Sequence, residues 1–345
     1  MAQALRAGVI GAGWPGGQHA KGYQAAGIKI AAVADLIPAR RKKMMAEFGI
    51  PTEYAGAMEL INDSSIDIVS VCLPNHEHAP VTIAALKRGK HVMCEKPPAM
   101  NAKEAKQIEA AAKKAGKIVM YSVQRRFGGA EQAARQAIDK GYAGDVYHAR
   151  AQFTRTRGIP IGTGWFTDKS FAGGGALIDI GVHMLDLAWY LIGQPTPTSV
   201  FGVTHQRFGS VLPKGLTFNV DDAAMAIIRF EGGRSLELAT SWALNQPPQQ
   251  EGTICRLYGD AGAVDVYTPQ GAILYRNFKK DSAPKATPLK GPKTVGHPAL
   301  MRHFKECILG NAKPLIGAAE GVTLMRMIDA IYRSSETGKS VELKS

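Results

Sequence analysis

The sequence predicts an α/β chain in two parts: a doubly wound parallel sheet at the N-terminus, then an α+β domain on an open, mostly antiparallel sheet. Through the first third, short apolar runs alternate with helical patterns. A glycine-rich turn, Gly11-Ala12-Gly13-Trp14-Pro15-Gly16, lies between the first apolar run and the first helix. Beyond residue 123 the alternation stops, and strand-like runs follow one another through short turns. At 345 residues the chain has room for two domains, which usually span about 100–200 residues each.

Leu5–Ile10, Ile28–Ala34, Ile68–Leu73, His91–Cys94 and Ile118–Ser122 read as strands. They are rich in valine and isoleucine and apolar along most of their length, the pattern of parallel strands covered on both faces. Helical patterns lie at 17–26, 38–48, 77–89 and 102–115. The last has clear ends: Asn101 can cap it, Glu104 follows three residues on as in a capping box, and Gly116 can stop it. Beyond 123, a helix over about 130–140 ends at Gly141. Strands are predicted at 146–156, 198–205, 222–230 and 234–242, the last two joined by Glu231-Gly232-Gly233, a hairpin signal. A further pair lies at 253–258 and 263–267. Helices are predicted at 175–192, ending at Gly193 before Pro195, and at 298–309 and 318–336. The segment 277–296, rich in Lys, Pro and Gly, reads as a surface loop.

Composition is that of a globular protein, 45% hydrophobic and 21% charged. No apolar run approaches the roughly 20 residues of a membrane span. The start, MAQALRAGVIGAG, lacks the parts of a signal peptide, so a cytoplasmic location is expected. Cys72, Cys94, Cys255 and Cys307 are far apart and form no metal or disulfide pattern, which suits a reducing compartment. The net charge of +13 raises the question of nucleic acid. Its two densest stretches, Arg40–Lys43 and Lys103–Lys117, read as exposed helix faces, and no nucleic-acid-binding motif accompanies them. The charge suits anionic cofactors or substrates instead.

The glycine turn is the strongest local motif. Its glycines allow a tight turn, close approach of a pyrophosphate and close helix–strand packing, the fingerprint of a Rossmann dinucleotide site. The helix start offers unpaired N–H groups to phosphates, and Pro15 fits there because the first turn has N–H groups to spare. Gly11, Gly13, Trp14, Pro15 and Gly16 are therefore predicted to contact the cofactor. Asp35, ending the second strand, stands where a carboxylate accepts hydrogen bonds from the adenosine ribose and repels a 2′-phosphate. This favours NAD; Arg40 and Arg41 keep NADP open. The dinucleotide-binding domain is placed at 1–123 and a substrate-binding and oligomerisation domain at 124–345.

Two further stretches are distinctive. One is Cys72-Leu73-Pro74-Asn75-His76-Glu77-His78 with Glu95-Lys96-Pro97. The other is Gly173-Gly174-Gly175-Ala176-Leu177-Ile178-Asp179-Ile180-Gly181-Val182-His183. With the glycine turn they resemble the Gfo/Idh/MocA family of sugar and polyol oxidoreductases. The resemblance runs over nearly the whole chain, to Glu320-Gly321 and Ser335–Lys339; Pro98 departs from the usual aliphatic residue. It implies that Pro74, Asn75, His78, Glu95 and Lys96 lie by the cofactor, with Asn75 and His78 beside the nicotinamide ribose, and that Pro97 is cis. Lys96 also makes chemical sense by itself: an ammonium just past a parallel strand's carboxyl end can orient a substrate hydroxyl and stabilise alkoxide charge.

Asp179 and His183 are four apart on a predicted helix and share a face. His183 can take a hydroxyl proton as hydride leaves, and Asp179 can orient the imidazole or bind a hydroxyl. A metal on His183 and Asp186 lacks a third ligand at good spacing, and none is expected. Arg125, Arg126, Arg157 and Trp165 are candidate substrate contacts, with Lys96, Asp179 and His183. The expected reaction is hydride transfer between NAD(H) and a carbinol carbon of a sugar, glycoside or cyclitol. Two other readings stay open: a glycoside hydrolase acting by transient oxidation, and a non-catalytic NAD(H) sensor. The C-terminal sheet is expected to form a homodimer or homotetramer, and no nucleic acid or membrane partner is expected.

Overall fold

A computed structural model describes residues 5–162, 164–276 and 282–343. The chain forms two compact units. The first comprises the chain up to Gln124 with Thr294–Met325; the second comprises Arg125–Lys293 with the chain from Arg326 onward.

The first unit alternates β1 (Arg6–Ile10), α1 (Trp14–Ala25), β2 (Lys29–Ala34), α2 (Pro38–Phe48), β3 (Thr52–Tyr54), α3 (Ala57–Asn62), β4 (Ile68–Val71), α4 (Asn75–Lys87), β5 (His91–Glu95), α5 (Ala102–Ala115) and β6 (Val119–Ser122). The six strands are parallel, in the order β3-β2-β1-β4-β5-β6. β4 and β6 are buried along their whole length, which is why the run reads as continuously apolar in sequence. α5 has the predicted ends: the Glu104 amide donates to Asn101 Oδ1 at 3.0 Å, and Gly116 is left-handed at φ 61°. β3 and α3 were not predicted. β3 has three residues and none fully buried, so no apolar run marks it. Glu95 consequently ends the fifth strand rather than following the fourth, and Lys96-Pro97 come just after it.

The second unit holds α6 (Gly129–Asp139), β7 (Val146–Thr154), α7 (Lys169–Ala172), a π-helical turn over Leu177–Gly181 leading directly into α8 (Val182–Leu191), β8 (Pro197–His205), β9 (Ala223–Phe230), β10 (Ser235–Ser241), β11 (Gly252–Gly259), β12 (Ala263–Thr268), β13 (Gly271–Arg276) and β14 (Lys285–Pro288). α9 (Gly296–Ile308) belongs to the first unit and packs on α1. α10 (Ala318–Thr337) gives its first residues to the first unit and the rest to the second, which β15 (Val341–Glu342) completes. The nine strands run β14-β13-β12-β11-β7-β10-β9-β8-β15. Neighbours are antiparallel except the central β7–β10 pair. α8 is buried at every position and packs on β7, β10 and β11.

The surface loop expected over 277–296 contains a strand: Lys285–Pro288 pairs with β13. Its side chains are all exposed, so main-chain hydrogen bonds alone hold it and no hydrophobic alternation marks it. Positions 277–281 lie outside the described residues. A second correction concerns apolar length. Among the described residues, the helical run Lys169–Leu191 is long and apolar enough to cross a membrane, and 83% of its most apolar stretch is buried inside the fold. Its first residues, 169–171, are exposed, but from Gly174 onward it lies in the core, and Asp179, His183 and Asp186 are buried there.

Arg126, expected to touch substrate, is fully buried instead. Its Nε donates to Asp186 Oδ2 at 2.8 Å and its terminal nitrogen to Oδ1 at 2.6 Å. A forked pair of this kind satisfies both charges, whereas removing one partner strands the other in low dielectric. Arg126→Ala should therefore lower unfolding free energy by about 3–5 kcal/mol, and Arg126→Met with Asp186→Leu should restore most of it. Denaturant titration checks this; an unshifted midpoint in the single variant would contradict it.

Candidate active site

In the first unit, the glycine turn sits at the carboxyl end of β1. Gly11 has φ 95°, and a Cβ there would lie 2.1 Å from the Cys72 carbonyl oxygen. A Cβ on Gly16 would lie 2.0 Å from the Gly11 carbonyl, so side chains are excluded where turn and helix meet. At Gly13 a Cβ would meet only the Pro15 ring, at 3.7 Å, which leaves the turn's outer side open. The α1 N-terminus has no side-chain cap and no acidic residue in its first turn. Its N–H groups and partial positive charge are thus available to a pyrophosphate. Trp14 stands 71% exposed on the first turn.

Asp35 accepts the Ala12 amide on Oδ2 and the Ile37 amide on Oδ1, both at 2.8 Å. Each oxygen keeps a further lone pair for a ribose hydroxyl. Arg41 turns back, donating to the Asp35 carbonyl at 2.6 Å and to Glu53 at 2.8 Å. Arg40 is exposed on α2.

Pro74 caps α4, which opens at the buried Asn75. His78 is fully buried. Its Nδ1 lies 2.8 Å from the Pro97 carbonyl and its Nε2 2.9 Å from the Leu73 carbonyl. Whichever nitrogen carries the proton donates to its carbonyl, and burial pushes the imidazole pKa down. His78 thus braces the loop at Leu73 against the loop at Pro97. The Lys96–Pro97 peptide is cis, and Lys96 is half-buried.

Glu95 also faces inward. Its Oε1 is 3.0 Å from His19 Nε2, and its Oε2 accepts the Lys96 amide at 3.1 Å. His19 Nδ1 lies 2.9 Å from Ser70 Oγ, which is 2.6 Å from the Tyr23 hydroxyl. Burial pushes the Glu95 carboxyl up, but the His19 hydrogen bond and the charges of His19, Lys96 and His297 outweigh it and hold it at about 2. His297 joins the cluster: donor atoms of His19, Glu95 and His297 lie within 4.8 Å of one another. Burial and the nearby His19 bring the His297 imidazole down to about 4. His19 and His297 were not foreseen; His19 was legible only as a polar residue on the buried face of α1.

In the second unit, the helix carrying Asp179 and His183 begins on Asp221. The Gly175 amide donates to Asp221 Oδ1 at 2.7 Å, the Ala176 amide to the Asp221 carbonyl at 2.9 Å, and the Leu177 amide to Oδ2 at 2.8 Å. The Tyr332 hydroxyl donates to Oδ1 at 2.8 Å. Burial pushes the Asp221 carboxyl pKa up and these donors pull it back, leaving a net rise. The π-turn closes from Val182 N–H to the Leu177 carbonyl. Asp179 lies inside this wider turn, and His183 follows directly after Val182, which closes it. π-bulges of this kind are frequent at functional sites. Asp179 Oδ2 accepts the Trp242 indole N–H at 2.9 Å. Asp179 is 9% and His183 8% exposed, so both lie at the edge of the buried core.

The remaining predicted contacts diverge. Arg125 is half-buried, donates to the Tyr267 hydroxyl at 2.9 Å and lies over the Phe153 ring. Arg157 is exposed, donates to Asn245 at 2.7 Å and covers Phe208. Trp165 is half-buried and stacks on Phe166 at 3.8 Å between centroids. Phe166 packs with Phe153, Ile159 and Phe218 against a small cluster containing Ile180 and Trp242.

An uncapped helix start behind a glycine turn, a carboxylate after the second strand and a lysine past the sheet's carboxyl end are the parts a dinucleotide-dependent oxidoreductase requires. The oxidoreductase family with an NAD-binding Rossmann fold, GFO/IDH/MocA, matches residues 5–123, and the family's C-terminal domain matches 132–265. The chain is 32% identical over 352 residues to the D-glucoside 3-dehydrogenase of Escherichia coli K12, covering 98% of this chain and 97% of that protein. It is 27% identical to the NAD(+)-dependent scyllo-inositol 2-dehydrogenase of Bacillus subtilis, covering 99% and 97%. Among solved structures, the aldose-aldose oxidoreductase from Caulobacter crescentus complexed with glycerol matches with a TM-score of 0.83 at 28% identity, over 99% of this chain and 100% of that one. GenD2 from gentamicin A biosynthesis, in complex with NAD, matches with a TM-score of 0.81 at 25% identity, over 100% and 98%. The chain belongs to the Gfo/Idh/MocA oxidoreductase family, and NAD is its cofactor.

Replacing Asp35 by Ser should weaken NAD binding at least tenfold and improve NADP, since the ribose acceptor and the repelling charge go together. Fluorescence titration of both cofactors checks this; unchanged NAD affinity would contradict it. Glu95 makes an acid-range prediction. Its carboxyl is held at about 2 against an ordinary 4.5, so its stabilisation is complete above pH 4.5 and is lost as pH falls through 2. The loss is on the order of 3 kcal/mol, and Glu95→Gln should flatten that limb of a pH–stability curve. An equally steep limb in the variant would assign the acid loss elsewhere.

Proposed function

We propose that the protein is a dehydrogenase oxidising a secondary ring hydroxyl of a D-glucoside, at C3, with NAD as hydride acceptor. The full-length similarity to a D-glucoside 3-dehydrogenase carries this reading. The similarity to a scyllo-inositol 2-dehydrogenase fits the same chemistry, one ring carbinol among several. In this proposal Gly11, Gly13, Trp14, Pro15 and Gly16 cradle the pyrophosphate and Asp35 binds the adenosine ribose, with Pro74 and Asn75 bordering the cofactor. The nicotinamide, when bound, supplies the hydride acceptor. Lys96 orients the substrate hydroxyl and steadies negative charge on its oxygen. His183 takes the hydroxyl proton, held in orientation by Asp179. Arg125, Arg157 and Trp165 are the proposed sugar contacts: arginines donate in forks to vicinal hydroxyls, and the indole packs on a sugar face.

The nine-stranded sheet leaves Tyr147, Phe201, Val203 and Ile227 exposed, with Phe201 directly opposite Ile227 across β8 and β9. We propose that this face pairs with a second copy to form a dimer or tetramer, since an apolar patch of this kind marks an interface. All four cysteines are buried free thiols, which suits a cytoplasmic setting.

Pure protein with NAD and a panel of glucosides, free sugars and inositols should accumulate reduced nicotinamide, fastest with a glucoside. Release of free sugar from a glucoside without net reduced nicotinamide would favour the transient-oxidation hydrolase. His183→Ala should cut kcat by about 100-fold or more while NAD affinity changes little. Full activity in that variant would remove His183 from the mechanism.

A further inference from the structure

On the acid/base roles proposed above, we infer that Asp221 is the positioning residue for the pair, clamping the helix start so that Asp179 and His183 stand in one fixed register. A helix start leaves its first N–H groups without intrahelical partners, and an ordinary capping side chain serves one of them. Here a single residue serves three in succession. The amides of Gly175, Ala176 and Leu177 go to Oδ1, the main-chain carbonyl and Oδ2 of Asp221, at 2.7, 2.9 and 2.8 Å. Three peptide planes held from one side cannot rotate independently. Tyr332 fixes the carboxylate in turn, donating at 2.8 Å. The fit leaves no slack: a Cβ on Gly175 would lie 1.8 Å from the Asp221 carbonyl oxygen.

The clamp acts where the register is set. Leu177, whose amide Asp221 holds, is the residue whose carbonyl closes the π-turn onto Val182. Two residues on is Asp179, and the residue after Val182 is His183. The next residue of the same loop reaches Asp179 by another route. The Asp222 carbonyl accepts the Trp242 amide at 2.8 Å, and the Trp242 indole donates to Asp179 Oδ2 at 2.9 Å. Asp221 and Asp222 therefore govern both the start of the helix and the orientation of its carboxylate. This explains why a carboxylate is kept in the core, where burial opposes its charge.

The test is Asp221→Asn in the full chain. The amide keeps the shape, but its nitrogen cannot accept an N–H, so one of the two side-chain bonds to the helix is lost. A displacement well under 1 Å at reacting groups is costly, so kcat for sugar oxidation should fall about tenfold or more. NAD affinity by fluorescence should stay within about twofold, because the acid/base pair rather than binding is disturbed. Leu274→Ala, a buried truncation on β13, controls for lost stability: it should lower Tm comparably or more and leave kcat unchanged. Tyr332→Phe keeps every bond from Asp221 to the helix and loosens only the carboxylate, so kcat should fall about threefold. If Asp221→Asn does not fold, Tyr332→Phe carries the test. The clamp is refuted if Asp221→Asn keeps kcat within twofold of wild type, if Leu274→Ala loses kcat in proportion to Tm, or, failing a folded Asp221→Asn, if Tyr332→Phe keeps full kcat. An active His183→Ala would defeat the acid/base assignment itself. An inactive His183→Ala beside a fully active Asp221→Asn would defeat the clamp alone.

Discussion

A carboxylate taken out of water must be met by donors, and each unit of this protein organises its chemistry round one that is. In the first unit it is Glu95, whose oxygens take His19 on one side and the Lys96 amide on the other. In the second it is Asp221, whose carboxylate takes two backbone amides and a tyrosine hydroxyl while its main-chain carbonyl takes the amide between them. An unsatisfied charge in either place would cost more than a small domain can spare. Both arrangements therefore behave as all-or-none features of the folded state. Each also reaches a proposed catalytic side chain through the backbone: Glu95 through the Lys96 amide, Asp221 through the turn that leads to Asp179 and His183.

Much of the fold was legible in the sequence because its signals are local. Parallel strands buried on both faces read as apolar runs, and α5 lies within the limits that Asn101 and Gly116 set. The glycine turn was readable because its function is a backbone requirement, and backbone requirements restrict residue type directly. The features that escaped are those with no side-chain periodicity. β14 is held by main-chain bonds with its side chains in solvent, and β3 is three residues long. The π-turn leaves no pattern of its own, since one extra residue in a turn does not disturb a uniformly apolar stretch.

The candidate site was legible in residue type more than in role. Asp35, Lys96, Asp179 and His183 all stand at element ends or at the edge of the core, where a polar group can be both held and used. Arg126, His78 and Glu95 each spend polar atoms on partners within the protein: Asp186, the Leu73 and Pro97 carbonyls, and His19. Nothing in a lone sequence distinguishes an arginine facing a sugar from one facing Asp186, because the partner is 60 residues away. Asp221 escaped for the same reason: it caps a helix 44 to 46 residues before it. Long-range satisfaction of buried charge is the part of the design that only the fold reveals.

The central claim is direct hydride transfer from a ring carbinol to NAD, and isotope tracing tests it most directly. The protein would be given NAD and a methyl glucoside carrying deuterium at C3, and the reduced cofactor weighed by mass spectrometry. Transfer predicts one deuterium per reduced nicotinamide, with the 3-keto glucoside as co-product. Reduced cofactor free of deuterium, or loss of the label to water without reduced cofactor, would contradict the account.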